Sequence, residues 1–194
     1  MNLLQMAEKV LEEEKRALTA HEIWRVAINK KYDNFSWRHL NELLDVNVRK
    51  SSSNFFALDG SPLDNYKKYI LKSHLDKIRP GKKVRILENI SYTPHDYTDV
   101  VATKGSIGTI LSYQEYITHL DEGNKRNGFF TPEHQREWIE RNIEAGAYYP
   151  IRLDEIVPLS DDDYACLEGI YYRVHILCRV GSITIVPTTS FTII

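Results

Sequence analysis

Apolar residues in the first sixty positions recur at helical spacing in three blocks, each separated from the next by a polar break. Leu3, Leu4, Ala7, Val10 and Leu11 form one stripe, which predicts a helix from Asn2 to about Lys15. Leu18 then precedes Thr19-Ala20-His21-Glu22, a capping box: the threonine hydroxyl accepts from the Glu22 amide while the Glu22 side chain reaches back. Leu18 and Ile23 are spaced for the hydrophobic staple that fixes the entry angle. Ile23, Trp24, Ala27 and Ile28 define the buried face of a second helix ending near Lys31. Ser36 is the expected N-cap of a third, with Trp37, Leu40, Leu43 and Leu44 as its apolar face. Val46-Asn47-Val48 alternates like a strand, Arg49-Lys50-Ser51-Ser52-Ser53-Asn54 reads as a turn, and Phe55-Phe56-Ala57-Leu58 returns before Asp59-Gly60 stops it. Three helices and a hairpin are expected over residues 1–60.

Ser61-Pro62 suits a further helix start, with proline at the first helical position. Leu63, Tyr66, Tyr69, Ile70 and Leu75 sustain an apolar stripe to about Lys77, so a connecting helix is expected over residues 61–79. Lys67, Lys68, Lys72 and Lys77 fall off that stripe, on the solvent side. Beyond Arg79-Pro80-Gly81 the period changes. Lys83-Val84-Arg85-Ile86-Leu87 alternates, and Gly105 and Gly108 bracket a tight turn before a strand resumes at Thr109-Ile110. Residues 148–153 and 156–159 read as later strands, while 173–180 and 182–186 flank Gly181 as a hairpin or bulged pair. One helix interrupts the β pattern, around residues 131–146: Thr131 caps, Pro132 and Glu133 open it, Trp138, Ile139 and Ile143 face inward, and Gly146 ends it. Residues 121–128 before it read as a mobile loop. The insertion is either a partner-specific feature or a cover for a sheet edge.

Two resemblances follow. The opening helix, the Ala17-Leu18-Thr19-Ala20-His21-Glu22-Ile23-Trp24 block and the Phe56-Ala57-Leu58 strand resemble the HARE-type winged-helix family, which includes the N-terminal domain of the bacterial RNA polymerase delta subunit. The likeness covers about the first third of the chain and departs from the family at Ser36-Trp37, where a threonine-proline start is common. It implies recognition of DNA or protein partners. The Lys104-Gly105 to Gly108 turn, a basic residue before the first strand and the Tyr149-Pro150-Ile151-Arg152-Leu153 strand resemble SH3-like barrels. The expected fold class is therefore α+β: an N-terminal winged helix of three helices plus a β-hairpin wing, a connecting helix, and a C-terminal SH3-like β-barrel over residues 80–194 with an inserted helix.

Charge sharpens this picture. The net charge of −2 hides three regions: residues 1–60 balance nine Lys/Arg against nine Asp/Glu, residues 61–86 carry eight against two, and residues 87–194 carry eight against sixteen. The middle region is either a track for a nucleic-acid backbone or a solvated face that offsets the acidic half. In a helix-turn-helix the second helix of the motif, here the third of the chain, enters the major groove, where Arg38 would be expected to pair with guanine and Asn41 with adenine; Glu42 and Asp45 beside them would face phosphates poorly. The expected nucleic-acid-binding set is Arg38, Asn41, Arg49 and Lys50 at the wing tip, and Lys67, Lys68 and Lys72 on the connecting helix.

Several catalytic chemistries lack their sequence motifs. There is no phosphate loop, no dinucleotide glycine motif, no nucleophile elbow and no HExxH. Asp154-Glu155-Ile156 lacks the lysine of a restriction-type nuclease, Asp161-Asp162-Asp163 reads as a solvated acidic loop, and His95-Asp96 has no neighbouring nucleophile. Cys166 and Cys178 make a poor zinc site and are expected to be buried apolar residues. With short apolar runs and no signal-peptide pattern after Met1, the expectation is a cytoplasmic protein without a membrane span. It is expected to be no enzyme and to need no metal or small-molecule cofactor. Two functions remain open: a DNA-binding or transcription-associated accessory protein on duplex DNA, and a protein–protein adaptor whose winged helix and acidic β-domain bind a larger enzyme or complex.

Overall fold

A computed structural model describes residues 1–32, 35–58, 67–93, 97–128, 131–171 and 173–194. The fold is mixed α+β, with two compact units, Met1–Ile78 and Arg79–Ile194.

In the first unit, helix α1 (Leu3–Glu14) begins at Asn2, whose side chain and that of Gln5 cap each other's amides, and ends at Lys15 in the left-handed conformation (φ 54°). Strand β1 (Leu18–Thr19) leads into helix α2 (Ala20–Asn29) through the expected capping box: Thr19 Oγ1 accepts from the Glu22 amide at 3.1 Å, and Glu22 Oε2 accepts from the Thr19 amide at 2.8 Å. Helix α3 (Trp37–Asn47) starts at Ser36, whose side chain makes no capping bond. The apolar stripes converge as patterned. Met6, Val10, Leu11, Ile23, Leu40 and Leu44 are all buried in one core, and each such side chain contributes about 1.5–3 kcal/mol relative to exposure.

The expected hairpin is corrected. Val46 and Asn47 continue α3, and the Val48 amide still bonds to the Leu44 carbonyl at 2.9 Å, so residues 46–48 supply no strand. Strand β2 (Phe55–Leu58) pairs with β3 (Lys68–Leu71), from Phe55 opposite Leu71 to Leu58 opposite Lys68, and β1 pairs with the other edge of β3. The sheet order is β1-β3-β2. The connecting helix is corrected as well: residues 68–71 are this central strand, and only the four residues of α4 (Lys72–Leu75) are helical after it. Alternation explains the outcome. Tyr69 and Leu71 join the helical core, while Ile70 packs with Ala17 and Leu58 on the opposite face, so both faces of the strand are covered. The Asp59-Gly60 stop, the Ser61-Pro62 start, Leu63 and Tyr66 lie outside the described residues.

In the second unit, strands β4 (Lys83–Ile86), β5 (Ile90–Tyr92), β6 (Tyr97–Ala102) and β7 (Ile107–Ile110) come first. Helices α5 (Tyr113–Arg126) and α6 (Glu133–Glu144) follow, then β8 (Tyr148–Glu155), α7 (Asp161–Glu168), β9 (Arg173–Ile176), β10 (Ile183–Pro187), a 3₁₀ turn (Thr188–Ser190) and β11 (Phe191–Ile193). Five strands form an antiparallel sheet in the order β10-β8-β7-β4-β11, and β5-β6-β9 form another in which β6 and β9 are parallel. Among the described residues the five-stranded sheet keeps two edges, so the expected barrel is not closed.

Other local expectations also shift. Residues 121–126 belong to α5 instead of a loop, because Ser112 and Glu115 form an unforeseen capping box that starts the helix early. Thr131 does not cap α6; its hydroxyl bonds to Asp121 and Asn124 instead. Residues 156–159 are not a strand, since the Val157 backbone is held by the buried Thr103 and Ser106 hydroxyls. Gly181 does turn the chain (φ 85°), but β10 pairs with β8 and β9 ends at Ile176, so no hairpin forms across it. Asp161, Asp162 and Asp163 are not a loop but the first turn of α7, capped by Ser160. That helix buries no residue, so Cys166 is exposed, and Cys178 is half-buried; neither is the buried apolar residue expected.

Candidate recognition surface on the third helix

Leu40 and Leu44 turn α3 inward, which leaves Arg38, Glu42 and Val46 on the outward line, four residues apart, with Arg49 just beyond the C-cap. At 1.5 Å rise per residue, each of the first three stands about 6 Å from the next. Arg38 is exposed, its guanidinium 5.7 Å from the centre of the Trp37 ring. Glu42 is highly exposed, with 78% of its side chain accessible, and sits 3.9 Å from the His39 ring nitrogen. Val46 is 58% exposed. The line is thus cationic, anionic, apolar and cationic in turn.

The inner shoulder of the same helix is already occupied. The Tyr69 hydroxyl, reaching across from β3, is 3.1 Å from Asn41 Oδ1 and 3.0 Å from Asp45 Oδ1. Lys67 Nζ bonds to the same Asp45 oxygen at 3.0 Å. Burial, with the Asp45 carboxylate second, pushes the Tyr69 phenol well above its ordinary ionisation.

The expected base readers, Arg38 and Asn41, and the five cations expected along one phosphate track, Arg49, Lys50, Lys67, Lys68 and Lys72, are placed on different elements. Arg38 and Asn41 lie on α3, but Asn41 spends its oxygen on Tyr69. Arg49 and Lys50 are exposed, yet they occupy the turn after α3 instead of a hairpin tip; residues 59–66 of the β2–β3 connection lie outside the described residues. Lys67 is paired with Asp45. Lys68 sits half-buried in the central strand, opposite Thr19 and Leu58. Lys72 begins α4, where its amide bonds to the Asn54 carbonyl at 2.8 Å and its side chain lines an open cleft of about 280 Å³ with Glu8, Glu12, Asn54, Leu71 and Ser73. For the lysines the cause is the strand at 68–71, which takes the place of the helix that would have carried Lys67, Lys68 and Lys72 on one solvent side.

Val46 and the aromatic group beside Arg38 were missed as surface features. His21 stacks on Trp24 with 5.5 Å between ring centres and meets Trp37 edge-on at 5.7 Å, while Trp24 Nε1 donates to the Phe35 carbonyl at 2.8 Å. The signal for Val46 was its place off the Leu40–Leu44 stripe.

Within the second unit, Asp99 Oδ1 lies 3.0 Å from the His175 Nδ1 atom. Asp121, Thr131 and Arg136 tie α5 to α6, the Arg136 Nη2 atom donating to Asp121 Oδ1 at 2.5 Å. Arg136 holds the Asp121 carboxyl below the usual carboxylate range. Among the described residues, no group of three or more His, Cys, Asp or Glu side chains is arranged to hold a metal, and no helix is long and apolar enough to cross a membrane. Comparison with known proteins gives no match: no family model, no curated protein and no solved structure is similar to the chain.

Proposed function

We propose that the chain is a protein–protein adaptor: a winged helix in Met1–Ile78 that recognises a protein partner through the outward face of α3, joined to an SH3-like unit in Arg79–Ile194. The winged-helix reading is supported by the order α1-β1-α2-α3-β2-β3 and the sheet order β1-β3-β2. The SH3-like reading is supported by the order β10-β8-β7-β4-β11 and by the 3₁₀ turn before the last strand.

One observation carries the choice of partner. Along α3, Glu42 stands between Arg38 and Arg49 with Val46 exposed beside it. A helix seated in a DNA groove is lined on both sides by phosphates, and a carboxylate at its centre opposes that field. A surface of mixed charge with one apolar contact suits a protein, whose rim offers both signs. A stable complex captured on the purified chain, resistant to nuclease and rebuilt from the purified partner, tests the reading. Val46→Asp and Glu42→Arg are expected to abolish it, and Lys72→Glu, away from this face, to leave it. Steeply salt-dependent binding of duplex DNA, lost in Arg38→Ala, would return the function to nucleic acid.

A further inference from the structure

The outward line of α3 carries its charges in a fixed order. Arg38 opens it, Glu42 follows, and Arg49 closes it with Lys50 alongside; all four are exposed. The eleven residues from Arg38 to Arg49 make about three helical turns over about 16 Å. The C-cap, Val48, keeps helical geometry (φ −58°, ψ −22°), so Arg49 returns to the line on which Arg38 starts. Asp45 lies beside this line, but its carboxylate is already held by the Tyr69 hydroxyl and by Lys67, each at 3.0 Å. Three cations against one carboxylate leave the line at +2, with positive charge at both ends, Glu42 between them and Val46 58% exposed.

We propose that the partner docked on α3 is a different protein presenting an acidic helix, with carboxylates for Arg38 and Arg49, a cation for Glu42 and an apolar side chain for Val46. This rests on the adaptor reading of that face and adds the chemistry of what it takes. Arg38, Glu42 and Val46 are four residues apart and so form one ridge, which packs into the groove of a second helix. Run antiparallel, the partner helix meets the line at positions i, i+3, i+7 and i+11, over the same three turns or so. A second copy of α3 does not supply this pattern. An antiparallel copy that covers the whole line sets Arg38 against Arg49 or Lys50, and a parallel copy in register sets every charge against its own kind. Like charges brought together select against both pairings.

Two capped, alanine-based helical peptides probe the full chain. One carries Glu, Leu, Lys and Glu at i, i+3, i+7 and i+11, and the other carries Lys, Leu, Glu and Lys at the same places. A lone helix held by a few exposed pairs binds weakly, in about the millimolar range, which backbone amide shifts in NMR spectra still detect. The first peptide should shift the amides of residues 38–50, and the second should bind about tenfold more weakly or worse. In the combined variant Arg38→Glu, Glu42→Lys, Arg49→Glu the preference should invert, and Val46→Asp should weaken both peptides. Should the combined variant lose its native spectrum, Glu42→Lys alone takes its place and should favour a first peptide whose lysine is replaced by glutamate. Equal binding of the two peptides, shifts centred elsewhere or no shift overturns the proposal. So do shifts at residues 38–50 that grow with the concentration of the chain alone, the mark of a second copy. The adaptor reading stands or falls separately: it fails if its reconstituted complex survives Val46→Asp, and it stands if that complex is lost while the two peptides bind alike.

Discussion

The Tyr69 hydroxyl and the Asp45 carboxylate lie 3.0 Å apart, joining the central strand β3 to the third helix. The tyrosine is fully buried at its ring and donates one proton to a site that Asn41 shares. Tyr69→Phe keeps the packing and removes the donor, so it should cost about 1–2 kcal/mol by leaving two acceptors short of a partner. Urea unfolding followed by tryptophan fluorescence measures it, since Trp24 and Trp37 both belong to this unit.

The same bond sets an alkaline limit. In the folded chain the phenol ionises above its ordinary value of 10.0, because burial and Asp45 both oppose a negative charge there. The unfolded chain therefore releases its proton first as pH rises. The bond's contribution is fully present below pH 10 and is lost above it. Stability of the wild type should fall between about pH 10 and 11, and the fall should be smaller in Tyr69→Phe. Equal slopes in the two proteins would remove Tyr69 as the cause.

His74 sets an acid limit. Its side chain is buried, its Nδ1 atom has no hydrogen-bond partner among the described residues, and desolvation, aided by Lys77, lowers its ionisation below the ordinary 6.5. The unfolded chain binds the proton more readily, so this contribution is present above pH 6.5 and is lost as pH falls through the lower folded value. The paired carboxylates Glu13 and Asp121 titrate below their ordinary values of 4.5 and 3.8, outside this window. Thermal midpoints at pH 7.5 and about 5.5 should differ more for the wild type than for His74→Leu, which has nothing to protonate.

Gly108 separates two kinds of glycine that look alike in sequence. Gly105 turns the chain with φ 88°, as a tight turn requires, but Gly108 lies within β7, where an added Cβ would come 2.4 Å from Ile151 and 2.7 Å from the Arg152 carbonyl. Gly108→Val should therefore destabilise the second unit by about 3 kcal/mol or more, since overpacking here presses on the backbone of β8. Hydrogen exchange across β7 and β8 should speed up together. Unchanged protection would show that the close approach is relieved at no cost.

Much of the first unit was readable locally because its signals are local. Thr19 and Glu22 are three residues apart, and the Leu40–Leu44 stripe repeats within a turn. β3 was not readable in that way. Lys68-Tyr69-Ile70-Leu71 is a short apolar run that fits either period, and what decides it is pairing with Leu18 and Thr19, some fifty residues earlier. Once that strand replaced a helix, the lysines read as one track parted company. The helix over residues 113–126 was hidden by its own polarity: Ile117 is its one buried residue, so the apolar stripe is too thin to see, and only Ser112 and Glu115 announce it.

The last expectation concerns the lysines themselves. Lys67 neutralises Asp45 at 3.0 Å, so Lys67→Glu sets two carboxylates side by side next to the Tyr69 hydroxyl. A phosphate track and a structural pair respond differently to this change. If Lys67 contacted phosphates, wild-type affinity for a short duplex would fall steeply between about 50 and 200 mM salt, and the substitution would flatten the slope by about one contact. Because the pair is exposed at Lys67 and the Asp45 charge is already engaged, the expected result is weak duplex binding with a shallow slope in both proteins. The substitution should instead lower the unfolding midpoint of the first unit, modestly, as exposed pairs contribute about 1 kcal/mol or less. Lys67→Met, which removes the attraction without adding repulsion, should fall between the wild type and Lys67→Glu in stability. Fluorescence anisotropy for the duplex and urea unfolding for the three proteins read the two effects separately. A steep wild-type slope that Lys67→Met reduces would make the lysine a phosphate contact and restore duplex DNA as the partner of this face.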